Sequence, residues 1–321
     1  RLMFEDLDRE EVTRTAAEEG LWIPSIPNLF HWFRGYVVLD LARILHEIMH
    51  LDCPNTHRSF FRLCFASIIR SVSNADPVPV SGLEVTAYMK RKDQEGRLVD
   101  PFTQFERATR RALEAVESFA RQADPRSKIQ VFQADVTVVA SSIRRQVDAI
   151  ITSPPYHNAV DYYRRHQLEM FWLGLVRSQR DRLALLPHYI GRPKVPKSHP
   201  YVANAKLSTP LAQAWEQRIR TVSQERADAF KHYVHAMQVG FSQMARVLRP
   251  GGPALLVVGN STWNGTEIPT ADLFQELARP HFELEEQLWY PIKNRYMSYS
   301  RRNGASIDRD YVVVLRRRRD D

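Results

Sequence analysis

A prolyl residue has no amide proton to give to a sheet, and in this 321-residue chain two of them stand side by side directly behind a β-prone run. Residues 147–152 read Val-Asp-Ala-Ile-Ile-Thr, and Ser153-Pro154-Pro155-Tyr156 follow at once. The β-rich apolar run predicts a strand. The proline pair predicts that it stops after Thr152, which puts the tetrad on a loop at the strand's carboxyl end, where open α/β sheets place their ligands. Two prolines fix φ and also restrict Ser153, so the loop is stiff and the Ser153 and Pro154 carbonyls are expected to point outward without amide competition. Rigid acceptors of this kind suit an exocyclic NH2 whose lone pair has to be freed for attack. Tyr156 adds an aromatic face on which a planar base drawn out of its helix can stack.

On these residues the chain resembles the (D/N/S)PPY family of S-adenosylmethionine-dependent methyltransferases, which modify amino groups of DNA bases. The serine in first place is similar to the N4-cytosine members more than to the N6-adenine members, most of which carry aspartate. Flanking runs extend the resemblance over about residues 129–315. Ile129-Gln-Val-Phe-Gln-Ala-Asp135 reads as a second strand ending in an acid. Val247-Leu-Arg-Pro-Gly-Gly252 followed by Pro253-Ala-Leu-Leu-Val-Val-Gly259 reads as a helix stopped at Pro-Gly-Gly ahead of a buried strand. Gln167 to Gly174 looks like the helix behind the catalytic loop, and Phe282 to Tyr290 with Asp310 to Leu315 resemble the last two strands, an antiparallel hairpin.

The resemblance implies an α/β fold with a Rossmann-like class I methyltransferase sheet, S-adenosylmethionine as cofactor, and double-stranded DNA as partner, its target base flipped out. It implies that Ser153 and Pro154 orient the amine, Pro155 rigidifies the loop and Tyr156 stacks on the base. Tyr156→Ala is expected to abolish turnover and to leave fold stability nearly unchanged. Asp135 is implied to reach the cofactor's adenine, whereas the residues alone read equally well as an N-cap for a helix over 136–145. An RNA amino group is the alternative substrate.

The family's glycine-rich turn, where only glycine permits close backbone approach to the cofactor, has no counterpart among the 12 glycines present. The sheet is therefore expected to lack its first strands, with that turn ahead of Arg1 or on a second polypeptide. Residues 1–125 read as a mostly helical insertion and 126–321 as the catalytic part. Helices are expected from Val38 to Met49, from Phe60 to Val72 and from Phe105 to Ala123, with Lys90 to Gly96 as an exposed loop. Thr270 or Asp272 is read as starting a helix that runs to Ala278.

The net charge of +8 favours an anionic partner. Basic and aromatic side chains alternate over residues 177–206, where Arg192, Lys194 and Lys197 are candidate nucleic-acid contacts, and again over 294–302, where Arg295 and Arg301 are. Two cysteines in a chain of this length argue against a disulfide scaffold. No apolar run approaches the roughly 18–20 residues of a membrane span, and a cytoplasmic protein is expected.

One rival pattern belongs to another class of enzyme. His46-Glu47-Ile48-Met49-His50 matches H-E-x-x-H, which on a helix sets two ligands for zinc beside a general base, and Cys53 and His57 stand nearby. A zinc-dependent hydrolase is the alternative on these residues. Against it, Leu41, Leu45, Ile48 and Met49 form the apolar side of the helix, which leaves both histidines on its polar face, and Pro54 ends the helix within a turn.

Overall fold

Helical periodicity dominates the first part of the chain and period-two alternation the last, and the architecture follows both. The computed structural model describes residues 7–77, 83–157, 162–192, 194–203, 206–264, 266–292 and 308–319. The fold is mixed α/β, and the chain divides into two units, residues 1–129 with 162–184 and residues 130–161 with 185–321.

The first unit is helical: α1 (Arg9–Glu18), α2 (Leu29–Trp32), α3 (Gly35–His50), α4 (Asn55–Val72), α5 (Ala87–Gln94), α6 (Pro101–Gln122), α7 (Tyr162–Trp172) and α8 (Gln179–Leu185). Asp8 and Glu11 form a capping box at the start of α1, and Asp100 caps α6 ahead of Pro101. Val37, Val38, Leu41, Ile44 and Ile48 give α3 a buried face. Met49 does not share it, being 48% exposed. Trp172 of α7 is fully buried and meets Phe33 and Phe65 edge-on at 6.0 and 6.1 Å. Truncating a ring so placed costs about 3–5 kcal/mol.

Two sequence expectations fail in informative ways. Residues 90–96, expected as a loop, lie mostly on α5, which the Thr86 hydroxyl caps by accepting the Met89 amide at 3.3 Å. Residues 129–135, expected as a strand, are irregular and join no strand among the described residues, and Val131 is 92% exposed. Alternating apolar residues make a strand only where a neighbouring strand takes their amides.

The second unit holds β1 (Ile150–Thr152), then α9 (Pro200–Ala203), α10 (Pro210–Arg220) and α11 (Gln224–Val247), then β2 (Pro253–Gly259), β3 (Ser261–Trp263), β4 (Thr266–Ile268), α12 (Thr270–Ala278), β5 (Phe282–Pro291) and β6 (Arg309–Arg317). Four strands form one mixed sheet in the order β1-β2-β6-β5, with β3 and β4 as a separate hairpin. β1 runs parallel to β2, and β6 lies antiparallel between β2 and β5. The expected strand from Val147 is pinned early, since Val147 bonds Val247 and Arg249 at 2.8 and 3.0 Å, but it becomes regular only at Ile150.

Alternation decides which face is covered. Ala254, Leu256 and Val258 of β2 and Val313 and Leu315 of β6 bury against α10, α11 and α12, around Phe230, Tyr233, Phe241 and Phe274. The opposite face carries Leu255, Val257, Val312 and Val314, each half-buried, and Ile151, 78% exposed. Among the described residues no strand pairs with the outer edge of β1. Also among them, no helix is long and apolar enough to cross a membrane.

Candidate active site at the strand ends

Register brings three chain segments to one end of the sheet. Thr152 closes β1, Gly259 closes β2, and Asp310, opposite Gly259 in the ladder, is the second residue of β6. The tetrad lies over that end. Ser153 is exposed, Pro154 is buried, and Pro155 and Tyr156 are half-buried. The Tyr156 hydroxyl donates to Asp310 Oδ1 at 3.0 Å, and the Tyr290 hydroxyl on β5 approaches Asp310 Oδ2 at 3.4 Å. Burial first, and the Asp310 carboxylate second, raise the Tyr156 phenol above its ordinary range; the Gly259 amide and the Ser153 hydroxyl, hydrogen-bonding neighbours of the phenol, oppose that shift.

Beneath the loop the supports come from α11. Tyr233 is fully buried and donates its hydroxyl to the Pro155 carbonyl at 2.9 Å. Burial drives its own phenol upward, with Tyr156 adding to the shift. His157, 5% exposed, packs edge-on to Phe230 and tilted against Tyr233, both at 5.2 Å. Desolvation, with the charge of Arg226 second, pushes its pKa down to about 4, so the ring is neutral near neutrality.

Tyr156 is held as well as offered as a face. Its ring packs against the core of the unit and its hydroxyl is held, so Tyr156→Ala removes buried contacts and a hydrogen bond. The expectation of nearly unchanged stability is corrected accordingly.

The basic segment behind the tetrad is fastened to it and to α11. Gly191 has φ +85°, and a Cβ there would stand 3.0 Å from the Tyr156 carbonyl oxygen. Arg192 is half-buried and donates to the Leu186 carbonyl at 2.7 Å, Lys194 pairs with Glu225 at 3.3 Å, and Lys197 is exposed. Val195 and Val202 close on Ala229, Lys231 donates to the Val202 carbonyl at 2.8 Å, and His199 meets His232 edge-on at 4.5 Å. Of the three candidate contacts, Lys194 and Lys197 are both exposed, Lys194 with Glu225 beside it. Arg295 and Arg301 lie outside the described residues.

Asp135 is engaged locally. Its Oδ1 accepts the Thr137 amide at 2.8 Å and the Thr137 hydroxyl at 2.7 Å, while Oδ2 faces His188 Nδ1 at 3.9 Å. The helix expected behind it is a turn and a short 3-10 segment, Val139–Ser141. At the end of β2, Asn260 caps α12 by accepting the Ala271 amide at 3.2 Å, and buried Thr270 accepts the Ser261 amide at 3.3 Å. Thr270 therefore braces the start of α12, while Asp272 is exposed.

Sequence reasoning did not single out Asp310, Tyr233, His157 or Gly191 for the site. The first two act across 154 and 78 residues of chain, a separation no local pattern spans.

In the first unit, the His46 and His50 rings stack at 4.0 Å, His50 Nδ1 lies 2.8 Å from the His46 carbonyl, and Glu47 is exposed. Among the described residues no three His, Cys, Asp or Glu side chains converge to hold an ion. Cys53 is free and half-buried.

No protein-family model matches the chain, and no curated protein matches it. Among solved structures, a protein of Thermus thermophilus provisionally assigned as a DNA modification methylase aligns over 58% of this chain and 52% of its own, at 13% identity and a TM-score of 0.28. The chain is similar to about half the length of that protein, at a level too low to fix a shared fold.

Proposed function

We propose that this chain acts in the transfer of a methyl group from S-adenosylmethionine to the exocyclic amine of a DNA base, N4 of cytosine ahead of N6 of adenine. The observation that carries the reading is the Ser153-Pro154-Pro155-Tyr156 loop at the carboxyl end of β1, braced by Tyr233 and Asp310. The sheet order β1-β2-β6-β5, with its antiparallel last pair, supports it.

In this reading the exposed Ser153 takes the amine's hydrogen bonds and the proline pair holds its carbonyls in place. The ring of Tyr156, fixed from behind, stacks on the flipped base. Lys197 and the rest of the basic segment meet phosphates. Bound S-adenosylmethionine would supply the methyl group.

The cofactor's own cradle fits these residues only in part. Among the described residues, the positive-φ glycines of this unit are Gly191, which faces Tyr156, and Gly251, which faces Arg319, and neither follows a strand of the sheet. Asp135 is the one acid proposed for the adenine. The pocket is therefore proposed to be completed by a further segment or a second polypeptide that carries the glycine turn.

Calorimetric titration of S-adenosylmethionine into the folded chain separates the versions. Saturable micromolar binding is expected of a pocket complete in this chain, and silence requires the completing segment. Transfer of radiolabelled methyl to cytosine in duplex DNA decides the function itself. Transfer that persists undiminished in Tyr156→Ala removes the tetrad from the mechanism.

A further inference from the structure

We propose that Asp310 is a positioning residue of this site: its carboxylate sets the Tyr156 ring in the orientation in which a nucleic-acid base stacks on it. The inference rests on the reading just given and deepens it, by assigning to β6 the control of base capture.

The argument begins with what holds Tyr156. A tyrosine turns about two side-chain bonds, and a ring that serves as a stacking platform performs only if both are fixed. The main chain of the loop is fixed by the proline pair and by Tyr233 on the Pro155 carbonyl. Gly191 allows the neighbouring segment to lie against the Tyr156 carbonyl without a side chain between them. These contacts hold the main chain; at the far end of the ring the Gly259 amide and the Ser153 hydroxyl stand beside the phenol oxygen, and the phenol's own proton is left for an acceptor. That acceptor is Asp310 Oδ1 at 3.0 Å, and Asp310 Oδ2 is in turn approached by the Tyr290 hydroxyl at 3.4 Å.

Asp310 is itself placed by register. It is paired with Gly259 on β2 and with Tyr290 on β5, so its main chain is held from both sides. The carboxylate therefore transmits the position of the sheet to the ring. A charge-assisted bond from a phenol to a carboxylate is also about twice as strong as a neutral one, which suits an anchor that has to hold while a base presses on the ring.

The test uses the full chain, without cofactor, and a single-stranded oligonucleotide carrying one pyrrolo-cytosine, whose fluorescence is quenched on stacking. Asp310→Ala is expected to weaken quench-detected binding about tenfold, the part of a stacking contribution that disappears once the phenol loses its acceptor and the ring departs from the stacking orientation. Tyr156→Phe keeps the ring, removes the hydroxyl and is expected to weaken binding equally, and the double variant no more than either. Asp310→Asn, which keeps an acceptor in place, is expected to recover most of the affinity. Carbon-13 labelling of tyrosine, with the Tyr156 signal assigned by its disappearance in Tyr156→Phe, reports ring order independently.

Binding by Asp310→Ala equal to that of the unsubstituted protein overturns the proposal. So do additive effects in the double variant, or an Asp310→Asn protein as weak as Asp310→Ala with its ring signals unchanged. If the unsubstituted chain does not quench the probe while its Tyr156 signal is ordered and becomes disordered in Asp310→Ala, the anchor exists but the nucleic-acid reading fails. If the signal is indifferent to Asp310, the anchor itself fails.

Discussion

Acidification is expected to loosen the second unit through His157, and the size of the effect follows from its burial. The imidazole lies between Phe230 and Tyr233, with its pKa pushed from 6.5 to about 4 by desolvation and by Arg226. The unfolded chain then binds a proton through a window in which the folded chain does not. The stability contributed by neutral His157 is fully present above the unfolded value and is lost as pH falls toward the folded one. Linkage over that shift gives a loss of about 2 kcal/mol between about pH 7.5 and about pH 5. His232 moves the same way, down to about 4, through burial first and then through His199, Arg192 and His235. Urea unfolding followed by circular dichroism at the two pH values measures the loss. His157→Phe supplies the comparison, since phenylalanine fills the aromatic setting without titrating. The variant is expected to lose about 2 kcal/mol less than the parent over the same interval. Equal losses in the two proteins would refute a buried, neutral His157.

Two further substitutions examine the loop's supports. Gly191→Ala forces a side chain into φ +85° and against the Tyr156 carbonyl at 3.0 Å. A cost of about 2 kcal/mol in urea unfolding is expected, and an unchanged midpoint would show that the segment shifts freely. Tyr233→Phe leaves the Pro155 carbonyl without its donor. It is expected to lower stability by about 1–2 kcal/mol and to speed amide exchange at Tyr156 and His157, read by hydrogen–deuterium exchange, whereas exchange at the parent's rate would mean that the bond does not hold the loop.

What the sequence disclosed and what it concealed divide along the range of the physics involved. The stop after Thr152 was legible because a proline's missing amide acts within one residue. The antiparallel pairing of β5 with β6 was foreseen through the family resemblance, which implies such a hairpin for the last two strands, and the register bears out the pairing. The run at 129–135 misled because its alternation is a property of the segment alone, while a strand exists only with a partner. The helix at Ala87–Gln94 was hidden beneath Lys90-Arg91-Lys92, although the Thr86 cap was there to be read. Asp310, Tyr233 and Gly191 could not have been placed at the loop by any local rule, since β-register and the packing of α11 bring them there from distant parts of the chain.

The outer edge of β1 sets a condition on how this protein can be handled. An edge that no strand covers among the described residues, with Ile151 standing 78% exposed beside it, is a template on which a second extended chain can grow. The length of that template is what the proline pair limits. Pro154 and Pro155 cut the open ladder off after Thr152, and Asp148, its side chain 93% exposed, sets a charge at the other end. Replacing the prolines to study their part in chemistry would therefore lengthen a sticky edge at the same time. The first sign of such a variant would be turbidity on concentration, and an assay that recorded only lost activity would mistake colloidal failure for catalytic failure.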